Sequence, residues 1–307
     1  MWYVLYSLKA LSNILNIMQR RAAKHLMPVI KHRIANIDTL KEEDFLTWCI
    51  REAAISVNAK AELDPYRIAL RIMTINFAAI HTSTFTATNL LLDLFSSPTA
   101  LQDIAILRKE IEEVYTANGN KWDKASLAQL VKTDSALRES LRMSTFMTHG
   151  MDRIIAAKEG VTTPSGVHID QGGKVGAATF AIHHDDNFYP SAKTYQPFRF
   201  SEARELLHTI DTSSNLSEPS NEAGSLNKVL ESKQLSAVTT NDRFLAFGAG
   251  KHACPGRFFA SAEIKMMLAF ILMNYDVEPF EKRPENKVFG SVVVPPMKST
   301  IRVRRRK

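Results

Sequence analysis

The stretch Phe247-Gly248-Ala249-Gly250-Lys251-His252-Ala253-Cys254-Pro255-Gly256, followed by Arg257-Phe258-Phe259-Ala260-Ser261-Ala262-Glu263, decides how this chain is read. Gly248 and Gly250 permit a tight loop that comes close to a flat partner. Cys254 stands before a helix expected from about Pro255 to Asn274, where unpaired amide N–H groups and the positive end of the helix dipole stabilise a thiolate. A thiolate held there is a metal ligand or a nucleophile. Pro255 suits a first helical turn, since its missing N–H leaves nothing unpaired. Taken alone, a cysteine before a helix is more often buried and inert.

Upstream of that loop the chain is mostly helical in pattern. Residues 1 to about 125 carry apolar side chains at three- and four-residue spacing with few glycines or prolines. Asp64-Pro65 opens the longest element, a helix over about 65–95 that would run about 45 Å. Its centre, Ala78-Ala79-Ile80-His81-Thr82-Ser83-Thr84, is rich in small and hydroxyl residues. Such residues let a backbone approach its neighbour and bond back to the i−4 carbonyl, and by themselves they more often mark close helix packing than a site. Further helices are expected over 101–116 and about 124–143. After Gly150 short β-type runs alternate with turn residues and predict one or two hairpins. Residues 206–240 are rich in Ser, Asn, Thr and Glu and read as a solvent-exposed, variable insertion without chemistry. Strands are expected around Val292–Val294 and Ile301–Val303 at the end of the chain. No internal repeat is present, and Gly248-Ala249-Gly250 lacks the third glycine of a dinucleotide-binding loop.

Composition narrows the function classes. The chain has 307 residues, 45% apolar and 23% charged, which excludes disordered, collagenous and disulfide-scaffold classes. Of the formal +7 charge, Arg302, Arg304, Arg305, Arg306 and Lys307 supply five at the C-terminal end, so nucleic acid is not a partner. That basic tail reads as a solvated end. Cys49 and Cys254 belong to no metal-spaced cluster, against structural zinc or a disulfide framework. Residues 1–18 are too short and mixed for a bilayer span or a signal peptide, and read as an amphipathic helix packed on protein.

At every fixed position, Phe247 to Gly256 resembles the ligand loop of the cytochrome P-450 family, Phe-x-x-Gly-x-(His/Arg)-x-Cys-x-Gly. The resemblance implies that Cys254 is the axial thiolate on the iron of haem b (iron protoporphyrin IX), that Phe247 packs near its sulfur, and that His252 bonds a propionate. A thiolate ligand pushes electron density to iron and favours O–O cleavage. Three further segments resemble family motifs in the expected order. Glu139-Ser140-Leu141-Arg142 is similar to the Glu-x-x-Arg motif, whose i, i+3 spacing puts both groups on one helix face. Tyr195-Gln196-Pro197-Phe198-Arg199-Phe200 is similar to the segment whose arginine completes a structural Glu–Arg–Arg network, here Glu139, Arg142 and Arg199. The centre of the long helix is similar to the segment over the distal haem face. There Thr82 matches the family's threonine and His81 stands in place of the family's acid, so the resemblance implies catalytic proton delivery by the His81 imidazole, by Thr82 or by a water chain. Arg153 stands where the family often places a basic residue on a propionate. Segments 143–150 and 290–296 correspond to substrate-facing parts, so Phe146, Met147, Val292, Val293 and Val294 would make an apolar pocket.

The resemblance implies a mainly α fold with a small β part, the C-terminal portion of the cytochrome P-450 haem domain over residues 1–307. It further implies a haem-thiolate monooxygenase that uses O2 and electrons from NADPH–cytochrome P-450 reductase. The wording of Ala181-Ile182-His183-His184-Asp185 and of 245–275 looks like fungal secondary-metabolism enzymes, hence a hydrophobic substrate, a terpenoid or indole diterpenoid. Such a protein would be a monomer associated with the endoplasmic reticulum, or cytosolic because this chain shows no anchor. Met1 falls in the middle of the family domain, so the chain is expected to be truncated at its start, and its hairpins to present unpaired edges. The alternatives are a remnant or interaction partner that binds haem poorly, and an isomerase or dehydratase without reductase coupling.

Overall fold

The computed structural model describes residues 2–214 and 234–306, the side chains of 2–15 and 208–214 excepted. The chain packs as two units, Met1–His81 and Thr82–Lys307. The first holds α1 (Trp2–Ala35), a 3-10 turn (Ile37–Thr39), α2 (Phe45–Ala54), α3 (Ala59–Glu62) and the start of α4 (Pro65–Phe95). Ala23, Ile30, Ile50, Ile68 and Ala69 form its core. Asp44 caps α2 by accepting from the Thr47 amide at 2.9 Å. The Arg33 guanidinium on the same carboxylate holds the Asp44 carboxyl down to about 2.

The second unit continues α4 and adds α5 (Ala100–Ala117), α6 (Lys124–Gln129), α7 (Val131–Met143), α8 (Thr179–His183), α9 (Arg199–Ser214) and α10 (Arg257–Asn274). Its core is built from Leu90, Leu94 and Phe95 of α4, Leu107 and Ile111 of α5, Leu137 of α7, and Leu268 and Leu272 of α10. Each stripe follows the three- and four-residue spacing that puts one helix face inward. No helix among the described residues is long and apolar enough to cross a membrane.

Four differences from the sequence reading have identifiable causes. The helix expected over 124–143 is two helices, because Leu130 leaves the helical region with φ −74° and ψ 72°. The orphan amides that open α7 are met from α5: Glu110 accepts from the Lys132 amide at 2.6 Å and from the Thr133 amide at 2.9 Å. The last helix begins at Arg257 rather than Pro255, with Gly256 as its N-cap and no side-chain cap. The end of the polar stretch 206–240 is tied to the core rather than solvated. There the Ala237 amide donates to Asp134 at 2.9 Å, and Arg138 donates to the Ser236 carbonyl and, at 2.9 Å, to that of Thr239. Within that stretch, 215–233 lie outside the described residues.

The fourth concerns the basic tail. The final strand is β8 (Val303–Arg305), paired antiparallel with β5 (Tyr275–Val277). The tail is solvated as expected, but two of its exposed arginines are paired, Arg304 to Asp276 at 3.2 Å and Arg302, just before the strand, to Glu278 at 3.5 Å. The other ladders are β1 (Gly150–Ile154) with β4 (Lys174–Ala177), the nested hairpin β2 (Val161–Thr162) with β3 (His168–Ile169), and β6 (Lys287–Phe289) with β7 (Val292–Val294). Among the described residues every sheet has two strands, which leaves outer edges unpaired.

Candidate functional site

The loop before α10 is closed by its own backbone. The Gly248 amide donates to Leu245 O at 2.9 Å, the Cys254 amide to Phe247 O at 2.8 Å, and the Ala253 amide to Gly250 O at 3.1 Å across a 3-10 turn, Gly250–His252. Gly248 at φ +74° and Gly250 at φ +61° take left-handed conformations that side chains disfavour. At the loop's end, Arg257 of α10 donates to the Cys254 carbonyl at 2.7 Å and to Val238 O at 3.0 Å. Cys254 therefore sits, exposed, beside a helix start whose first amides have no side-chain acceptor.

Phe247, His252 and Cys254 line one cavity of about 300 Å³ together with Arg153. Thr145, Phe146 and Met147 after α7, Gly150 and Met151 of β1, Thr179 of α8, and Leu245 and Ala246 complete most of its wall. Sequence reasoning missed Met151. It holds φ +59° where the register between β1 and β4 slips from Gly150 to Arg153, the kind of irregularity that re-aims a strand beside a site. The Arg153 guanidinium on the same strand is exposed and bonds the Asp152 carbonyl at 2.9 Å.

Above this wall the apolar segments meet. Val293 donates to Phe146 O at 2.9 Å, Thr148 to Ser291 O at 2.8 Å, and Met147 bridges Val292. Phe85 of α4 brings its ring to 6.2 Å from that of Phe146. Thr82 is half-buried on α4, its carbonyl accepting from Thr86 at 2.9 Å, and does not line the cavity. His81 belongs to the first unit, where its Nδ1 lies 3.0 Å from Phe77 O and its ring 4.8 Å from that of Phe77.

A polar network whose centre, Glu139 and Arg142, is fully buried joins α7 to the segment after α8. Arg142 holds Glu139 with two parallel bonds of 2.8 Å, and Arg199 reaches the same carboxylate at 3.1 Å. The Gln196 amide adds a bond of 3.2 Å to Glu139, and Arg142 also donates to the carbonyls of His183 and, at 2.7 Å, Ala192. The Glu139–Arg142 pair thus ties α7 to His183, Ala192, Gln196 and Arg199. His183 is buried beside this network, and desolvation, with the Arg142 charge second, pushes its imidazole down to about 3.

The cavity's donor set can be tested against an iron porphyrin. An exposed sulfur at a helix start suits the metal, apolar walls suit a macrocycle, and Arg153 and His252 suit its carboxylates. The residues fit that group. Among the described residues no cluster of three His, Cys, Asp or Glu offers an alternative metal site.

The chain is similar to fungal proteins named cytochrome P-450 monooxygenases. It is 36% identical over 297 residues to gloP of Glarea lozoyensis, covering 92% of this chain and 51% of the relative. To monooxygenase 151 of Postia placenta it is 37% identical over 296 residues, covering 94% and 53%. The chain thus spans about half the length of the curated relatives it matches. A crystal structure of a cytochrome P-450 (CYP102L1) superposes with a TM-score of 0.68 at 20% identity, covering 98% of this chain and 59% of that one, and shows the same fold. The family pattern of cytochrome P-450 runs over residues 1–303, and the chain belongs to that family.

Proposed function

We propose that this chain binds haem b through Cys254 and is the ligand-bearing part of a haem-thiolate monooxygenase. The observation that carries this reading is that Cys254, Phe247, His252 and Arg153 line one cavity with apolar walls. Cys254 would hold the iron, with Phe247 shielding the sulfur and His252 and Arg153 bonding the propionates. Bound haem would supply activation of O2 and insertion of one oxygen atom into a C–H bond, the other leaving as water at the cost of two reductase electrons and two protons. Glu139, Arg142 and Arg199 hold the segments behind the site in register. Thr82 and His81 are assigned to proton delivery, a role their places on α4 leave to be tested by substitution.

The apolar Phe146 and Met147, which line the cavity and pair with Val293 and Val292, support a large hydrophobic substrate, which we assign to the terpenoids or indole diterpenoids. Electrons would come from NADPH–cytochrome P-450 reductase at the endoplasmic reticulum, with the protein acting as a monomer. The test is the absorption spectrum of haem-loaded protein reduced under carbon monoxide. A strongly red-shifted Soret band that is lost in Cys254→Ser is expected. An unshifted band in folded protein overturns the reading.

A further inference from the structure

The Leu245 amide donates to Nε2 of His183 at 2.8 Å, a bond that joins residues 62 apart in the sequence. A ring nitrogen that accepts carries no proton, so His183 is the Nδ1–H tautomer. Nδ1 is buried and meets no partner among the described residues. A buried N–H without an acceptor is costly, and a phenyl ring would fill the same space without that cost. The imidazole is already placed as an aromatic ring would be, parallel to Phe244 at 5.4 Å and 15°. Its acceptor nitrogen is the one thing a phenyl ring could not supply.

That acceptor links two parts of the site. On one side the His183 carbonyl accepts from Arg142, whose guanidinium is clamped on Glu139. On the other, Leu245 opens the ligand loop: its carbonyl accepts from Gly248, and Phe247, two residues on, accepts from the Cys254 amide at 2.8 Å. We propose that His183 is a positioning residue, whose Nε2 fixes the Leu245 amide and so seats the Cys254 loop on the Glu139–Arg142–Arg199 network. The inference rests on the reading of Cys254 as the iron ligand, but its test does not require haem.

The test uses the full chain. Nitrogen-15 spectra of the histidines give the tautomer of His183 directly, and the Nδ1–H form is expected between about pH 5 and 8. Hydrogen exchange of segment 244–254 is then compared in two variants. His183→Gln places an acceptor near the position of Nε2, whereas His183→Phe keeps the ring and removes the acceptor. Protection close to that of the parent is expected in His183→Gln, with exchange about tenfold faster in His183→Phe. A role in packing alone would reverse that order. An Nε2–H tautomer, or faster exchange in His183→Gln than in His183→Phe, overturns the proposal, and the tautomer decides should either variant fail to fold. A parent protein with the expected tautomer and no thiolate spectrum would instead count against the haem reading alone.

Discussion

Arg142 grips both oxygens of the Glu139 carboxylate at 2.8 Å, three residues back on α7, and both side chains have 0% exposure. Removing one partner strands the other in a dry interior. Glu139→Ala is therefore expected to destabilise the chain by about 3–5 kcal/mol. Arg142→Lys keeps the charge but loses the fork, with an expected loss of about 1–3 kcal/mol. Denaturant midpoints at unchanged slope measure both.

Gly248 and Gly250 test the ligand loop. A Cβ at Gly248 would meet nothing closer than 3.8 Å, and one at Gly250 nothing within 4 Å, so crowding is not the issue. The left-handed backbone is, and each substitution to Ala is expected to cost about 1–2 kcal/mol. Thermal unfolding and the fraction of chain that takes up haem should fall together.

Glu110 supplies a cap from outside the helix it caps. Glu110→Ala leaves the Lys132 and Thr133 amides without their acceptor and should cost about 1–3 kcal/mol. Glu110→Gln keeps one carbonyl oxygen and should lose less. The comparison is made on thermal midpoints and on far-ultraviolet circular dichroism.

His183 gives a signed pH dependence. Its folded value of about 3 lies below the ordinary 6.5, chiefly through burial, so between these values the unfolded chain binds the extra proton. Stability from this group is fully present above about pH 6.5 and declines as pH falls towards 3, by about 1.4 kcal/mol per pH unit. His183→Gln should flatten that part of the stability–pH curve.

The ligand loop and the Glu–Arg–Arg network were legible because their residues are fixed by chemistry at short spacing: Phe247 to Gly256 in one run, Glu139 with Arg142 in one turn. The long helix was legible from the unbroken run between Asp64-Pro65 and Phe95, and α4 has those bounds. What escaped reading depends on partners far away in the chain. The break at Leu130 is stabilised by Glu110, and the bounds of β8, expected at Ile301–Val303 and found at Val303–Arg305, are set by its pairing with Tyr275–Val277. His183 was visible only as a word in a family-like phrase, because its use is a bond to an amide 62 residues on. Met151 carries no local signal at all, since a β-bulge is a property of two strands.

The contrast between the two cysteines bears on how the protein must be handled. Cys49 is buried, and desolvation pushes its thiol up, so it resists air and alkylating reagents. Cys254 faces solvent. Its sulfur is open to sulfenylation and to mixed disulfides that a reducing agent reverses, and to sulfonate, which nothing reverses. With Cys254 in its proposed role, the oxidative history of a preparation would set the ceiling on how much iron it can ligate.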